Sequence, residues 1–139
     1  MSDLVGVSKE NFREGITPRA AAANITLKGD YRMKSVKLIV AYPQPEDASA
    51  FEKTYQQEHV PMAIANLYGK TKIVATKVLQ SPQGTPPFYC VAEVHFPSME
   101  ALQRCAESAG GKKTLEHAVK ISSGGPPVIM IAEEETFTF

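Results

Sequence analysis

The amino-acid sequence predicts a ferredoxin-like α+β domain, a βαββαβ sandwich in which two main helices pack on one face of a four-stranded antiparallel sheet. Two observations carry that expectation. The apolar runs and helical stripes follow the order strand, helix, strand, strand, helix, strand, which is the split βαβ arrangement. The first and last strands are also apolar on both of their faces, so the sheet calls for a second layer beyond its own helices.

The elements follow in order. Residues 36–42 form a short, nearly continuous apolar run stopped by Pro43 and Pro45, which reads as a buried strand. Glu46 and Asp47 supply capping and first-turn chemistry for a helix running to Glu58 or His59. Its apolar stripe is Phe51, Tyr55 and His59, with Ala48 and Met62 extending the same face. Pro61 ends this helix or starts a turn at a new angle. After Tyr68 and Gly69, the β-branched run 72–79 is the second strand, residues 81–87 a hairpin loop, and residues 88–96 the third strand. Ser98 caps a second helix with a stripe of Leu102, Cys105, Ala106 and Ala109, and Gly110 and Gly111 end it. Residues 113–119 add a short helical piece, and residues 128–132 the last strand before an acidic tail.

Composition narrows the function classes. At 139 residues, with 43% hydrophobic and 22% charged residues, the chain has the size and make-up of one globular domain. Its formal net charge of zero gives no electrostatic reason for a nucleic-acid partner or an anionic membrane. No apolar stretch approaches the roughly 18 residues of a membrane helix, and acidic and basic residues interrupt the N-terminus where a secretory signal would lie. Cys90 and Cys105 read as small buried hydrophobes in a reducing cytoplasm. The expected location is cytoplasmic.

Residues 1–34 differ from the rest, with Gly15, Pro18, Gly29, Asp30 and an alanine run but no sustained period. They read as an N-terminal extension, either disordered or an arm that orders on another surface, ahead of a domain spanning 35–139. The two apolar sheet faces pose a second question. Val36, Leu38 and Val40 oppose Ile39 and Ala41 on the first strand, and Val128 and Met130 oppose Ile129 and Ile131 on the last. Leaving either set in water exposes a larger patch than a soluble monomer usually tolerates. A second copy of the chain covers it most simply, as a two-fold homodimer; the N-terminal arm is the competing cover.

At this point a resemblance becomes usable. The stretch Val36-Lys37-Leu38-Ile39-Val40-Ala41-Tyr42-Pro43, then Pro45-Glu46-Asp47 and Phe51, resembles the opening of an EthD domain. Tyr55-Gln56-Gln57-Glu58-His59-Val60-Pro61-Met62 is similar to that family's tyrosine-then-E-H-V-P helix end. Ala92, Glu93 and Phe96, followed by Ser98-Met99-Glu100-Ala101-Leu102, resemble its strand-to-helix passage. The likeness covers residues 35–134. It implies a dimeric α/β barrel, the name coming from a protein encoded beside a cytochrome system that degrades an ether fuel additive. It also implies a role accessory to oxidation, with cofactor-free monooxygenases, lactone isomerases and haem-binding peroxidase-like enzymes among related barrels. Fold alone does not choose among these reactions.

His59 is the leading candidate for chemistry. Its stripe faces the space between helix and sheet, where an imidazole can act as acid or base near neutral pH or bond a ligand hydroxyl. The plainer reading is a histidine that bonds a backbone carbonyl near Pro61 and stabilises the helix end. Tyr42, Tyr55 and Tyr68 are candidates to line a pocket for an apolar or aromatic ligand, or are amphipathic residues at element ends. Glu93 and His95 alternate onto one face of the third strand with Tyr89 and Val91. That face either meets the dimer partner, with Glu93 paired to Lys77, or looks into the cleft, where Glu93 becomes an acid/base partner for His59.

His59, His95 and His117 show no close ligand spacing, so no metal is expected. Gly110-Gly111-Lys112-Lys113 lacks the preceding strand of a phosphate loop, and Ser122 and Ser123 lack a base at fixed spacing. The residues together point to a chain that binds a small apolar or aromatic metabolite and assists its oxidative degradation or isomerisation through His59, with no bound cofactor. If an enzyme, it is a cofactor-independent oxidoreductase, isomerase or lyase. The alternative is a non-catalytic dimer that sequesters a ligand or docks on a partner oxidoreductase through the N-terminal arm. Haem binding is a third reading.

Overall fold

A computed structural model describes residues 35–139; the expected N-terminal extension, 1–34, lies outside the described residues. The elements are strand β1 (Ser35–Pro43), helix α1 (Ala48–Thr54), a π-helical turn (Tyr55–His59), helix α2 (Val60–Asn66), strands β2 (Lys72–Lys77) and β3 (Phe88–Phe96), helices α3 (Met99–Glu107) and α4 (Ala109–Ile121), and strand β4 (Val128–Glu134). The strands form one antiparallel sheet in the order β2-β3-β1-β4. The βαββαβ, ferredoxin-like architecture is therefore the one the sequence predicts.

Register assigns the two faces. Leu38 and Val40 of β1 stand opposite Val94 and Ala92 of β3 and Ile131 and Ile129 of β4. These residues meet Phe51, Tyr55, Leu102 and Leu115 from the helices in one core. On the other face Ile39 pairs with Glu93 and Met130, and Ala41 with Val91 and Val128. Glu93 and His95 thus point away from the helices, which decides the orientation the sequence left open. Tyr89 does not follow them: β1–β3 pairing shifts register between Tyr42 and Pro43, and the Tyr89 hydroxyl donates to Glu52 of α1 at 2.8 Å.

The helices depart from expectation at their punctuation. The first does not stop at Pro61 but continues to Asn66. Asp47 caps it, its side chain accepting from the Ala50 N–H at 3.1 Å. Proline within a helix lacks one donor and crowds the carbonyl four residues back, and the π turn directly before Pro61, with the Val60 N–H reaching the Tyr55 carbonyl, takes up that strain. The buried row runs Phe51, Tyr55, His59, Ala63 and Leu67. Spacing four on a 3.6-residue helix drifts by about 40° per step, and the wider π turn returns part of the drift. Ala48 is exposed and Met62 only half-buried, so neither extends the stripe.

Gly110 and Gly111 do not end a helix either; they open one. Ser108 caps α4 by accepting from the Gly111 N–H at 3.0 Å. A side chain at Gly111 would overlap the Cys105 carbonyl, and one at Gly110 would crowd the Asn66 carbonyl. The two glycines therefore serve close approach of α4 to its neighbours. Ala109, expected in the apolar stripe, is exposed at this corner, while Gly111, Thr114, Leu115 and Ala118 form the buried face of α4. Among the described residues no helix is long and apolar enough to cross a membrane.

Candidate acid/base site in an apolar cavity

Between the helices and the sheet lies a cavity of about 210 Å³. Leu38, Val40, Ala92 and Val94 form its floor, and Ala63, Leu67, Leu102 and Leu115 are among the residues of its walls. Among the described residues no Lys, Arg, Asp or Glu lines it, and its polar lining is Tyr42, Tyr55, His59, Cys105 and Thr114. Thr114 is already engaged, its hydroxyl donating to the Gly110 carbonyl at 2.7 Å. Burial pushes the Cys105 thiol up, and the Cys90 thiol likewise, so both stay protonated and unreactive at neutral pH. Both are free and buried, as their surroundings in the sequence indicate.

The helix row stacks its rings into a column. Phe51 stacks on Tyr55 at 5.6 Å between centroids, Tyr55 on His59 at 5.8 Å, and His59 on His117 of α4 at 5.1 Å. Tyr42 enters from β1, edge-on to Phe51 and Tyr55. It is fully buried, and its hydroxyl lies 3.4 Å from His59 Nε2. On the other side His59 Nδ1 lies 2.9 Å from His117 Nδ1. His117 Nε2 in turn faces the Glu58 carboxylate at 3.7 Å, and Glu58 is 64% exposed. A continuous line of polar atoms thus runs from the cavity through His59 and His117 to the surface.

Burial, reinforced by the neighbouring His117, lowers the ionisation of His59 from 6.5 to about 4. At neutral pH it is an uncharged imidazole with a lone pair available for a proton. Burial holds the Tyr42 and Tyr55 hydroxyls above their ordinary range, so both remain hydrogen-bonding groups.

The structure brings together three of the residues singled out in the sequence, Tyr42, Tyr55 and His59. It does not bring in two others. Tyr68 follows α2 on a turn and is 71% exposed, away from the cavity lining. Glu93 lies across the sheet, bonded to Lys37 Nζ at 2.7 Å. Its expected partner Lys77 instead pairs with Glu52 of α1 at 3.3 Å, because the register sets Lys77 opposite Cys90 on the helix face and Val74 opposite Glu93. The Glu93 bond raises the Lys37 ammonium above its usual range. His95 is buried beside Glu93 and Glu134, each 3.6 Å away. Their ligand atoms are close enough to hold a cation, but the Lys37 ammonium already bridges both carboxylates.

His117 was not legible as a site residue. The helical piece 113–119 already puts His117 on one face with Thr114 and Ala118, but only the packing of α4 against the π turn brings it to His59.

A helix-covered antiparallel sheet enclosing an apolar cavity with one buried, uncharged histidine defines a ferredoxin-like protein with a candidate acid/base site. Residues 43–120 match the EthD domain, and the chain belongs to the EthD family. The matched span contains Tyr55, Glu58, His59 and His117 and begins one residue after Tyr42. A solved protein of the ethyl tert-butyl ether d (EthD) family from Bacillus halodurans is 34% identical, with a TM-score of 0.66, over 72% of this chain and 98% of that one. An uncharacterised 11.0 kDa protein from the thcB–thcC intergenic region of Rhodococcus erythropolis is 26% identical, over 70% of this chain and 94% of its own length. A dimeric ferredoxin-like protein of unknown function from Jannaschia sp. shares the fold at 14% identity, with a TM-score of 0.53, over 71% of this chain and 97% of that one.

Proposed function

We propose that the chain binds a small, uncharged, apolar or aromatic molecule in the helix–sheet cavity, and that His59 serves as its acid/base group in an isomerisation or oxidative breakdown. The observation that supports this is a neutral imidazole set into a largely apolar cavity whose described lining carries no charged side chain. Such a lining rejects carboxylates and ammonium groups, which would lose hydration without gaining a partner. It favours a compact molecule with one weakly acidic hydroxyl or C–H group able to reach His59 Nε2. Tyr42 supplies a second hydrogen-bonding group at the same nitrogen.

The test uses 2-naphthol as probe. Calorimetric titration should give binding to the parent chain and at least tenfold weaker binding to His59→Ala, with circular dichroism unchanged. Equal binding by both proteins removes His59 from the site.

A homodimer is part of the same proposal. The sheet face away from the helices exposes Val74, Val128 and Met130 by 36%, 40% and 46%, and a protein of the same fold is described as dimeric. A second copy laying its own sheet there buries that surface.

A further inference from the structure

The lone pair on His59 Nε2 is useful only if the other ring nitrogen carries the proton. That choice is made outside the cavity. Glu58 sits in the π turn next to His59 but projects outward, and its carboxylate can only accept. It therefore favours a proton on His117 Nε2, which leaves His117 Nδ1 as an acceptor. The 2.9 Å approach of the two Nδ1 atoms needs one donor and one acceptor, so His59 Nδ1 must carry the hydrogen. His59 Nε2 is then bare and accepts the Tyr42 hydroxyl at 3.4 Å. The donors run in one direction from cavity to surface, with hydrogen positions assigned from that order. Of the groups facing His59, Tyr42 comes from β1, Tyr55 from the turn before it and His117 from α4, with Glu58 reached through His117.

A second reason concerns the charge. A proton taken up by His59 creates an imidazolium inside hydrocarbon, where burial already opposes the charged form. A neighbouring imidazole that passes a proton outward relieves this.

We propose that His117 and Glu58 set the tautomer of His59 and form the path by which protons leave and re-enter the cavity. The inference rests on His59 as the acid/base group. The Tyr42 hydroxyl turns its hydrogen from Nε2 to the ligand. A ligand O–H or C–H bond breaks, its electron pair stays on the ligand, and the proton joins the freed lone pair of His59 Nε2. The His59 Nδ1 proton passes to His117 Nδ1, and the His117 Nε2 proton leaves to Glu58 and water. One proton crosses to solvent, no electrons are exchanged, and both imidazoles end neutral in the opposite tautomers. His59 then presents Nε2–H, ready to return a proton to a different ligand atom, as an isomerisation requires. His117 is thus a positioning and relay residue that acts through His59.

Nitrogen-resolved NMR of the imidazoles of the full chain at neutral pH tests this without any ligand. The parent should show His59 as the Nδ1–H tautomer and His117 as Nε2–H. In Glu58→Ala, a change at an exposed position, the Nδ1–H signal of His59 should fall by roughly half. In His117→Leu it should be replaced by Nε2–H. An Nε2–H tautomer of His59 in the parent overturns the proposal, as does an unchanged tautomer in Glu58→Ala. The 2-naphthol titration stands apart: His59-dependent binding with the wrong tautomer removes the relay alone, whereas the predicted tautomers with no His59-dependent binding remove the ligand reading alone.

Discussion

His59 sits among rings on three sides, and its environment has a consequence for stability that can be measured without a substrate. Its ionisation moves from 6.5 to about 4 because burial disfavours the imidazolium. An unfolded chain binds this proton below 6.5, while the folded chain resists it until about 4. Stability should therefore be full above 6.5, fall as pH drops toward 4, and level off below that. The part owed to His59 is at most about 3 kcal/mol. Urea unfolding at a series of pH values, repeated with His59→Gln, isolates it; an equally steep fall in the variant would assign the effect to other groups. At this scale the spacing of Phe51, Tyr55 and His59 made the site legible, since i+4 neighbours share a helix face. Tyr68 was misplaced because aromatic character alone does not say which way an element end turns.

Helix ends proved harder to read than helices. Pro61 and the Gly110-Gly111 pair are the strongest stop signals in the chain, and both lie within helical structure. Pro61 is accommodated by a π turn that no pattern of side chains announces. The glycines are required by carbonyls of Asn66 and Cys105, residues distant or separate in the element order. Gly111→Ala should consequently destabilise the domain by about 1–3 kcal/mol through overpacking, seen as a lowered melting temperature. Lys112→Ala, next to it and exposed, should stay within about 0.5 kcal/mol. Equal effects would mean that α4 does not need this close approach.

For the whole molecule, the sheet has two distinct sides. One holds the cavity; the other divides into an apolar part around Ile39, Val91, Val128 and Met130 and a polar cluster of Lys37, Glu93, His95 and Glu134. If a second copy covers the apolar part, sedimentation should report twice the chain mass of 15.1 kDa. Met130→Lys, which places a charge in the middle of that surface, should shift the equilibrium toward monomer by tenfold or more. A monomeric parent would show that a dimer is not how this face is satisfied.

The element order and the two-sided apolarity of the outer strands are local properties of the chain, set by side-chain period and by turn and cap residues, and they determined the fold class and the helix that carries His59. Which face Glu93 and His95 take, and that His117 meets His59, are relations between segments far apart in sequence. Strand register decided the first, because a shift of one residue exchanges the two faces of a strand. Packing of α4 against the π turn decided the second. The sandwich thus follows from local pattern, while the candidate acid/base site within it is completed by a histidine that only tertiary packing brings into reach.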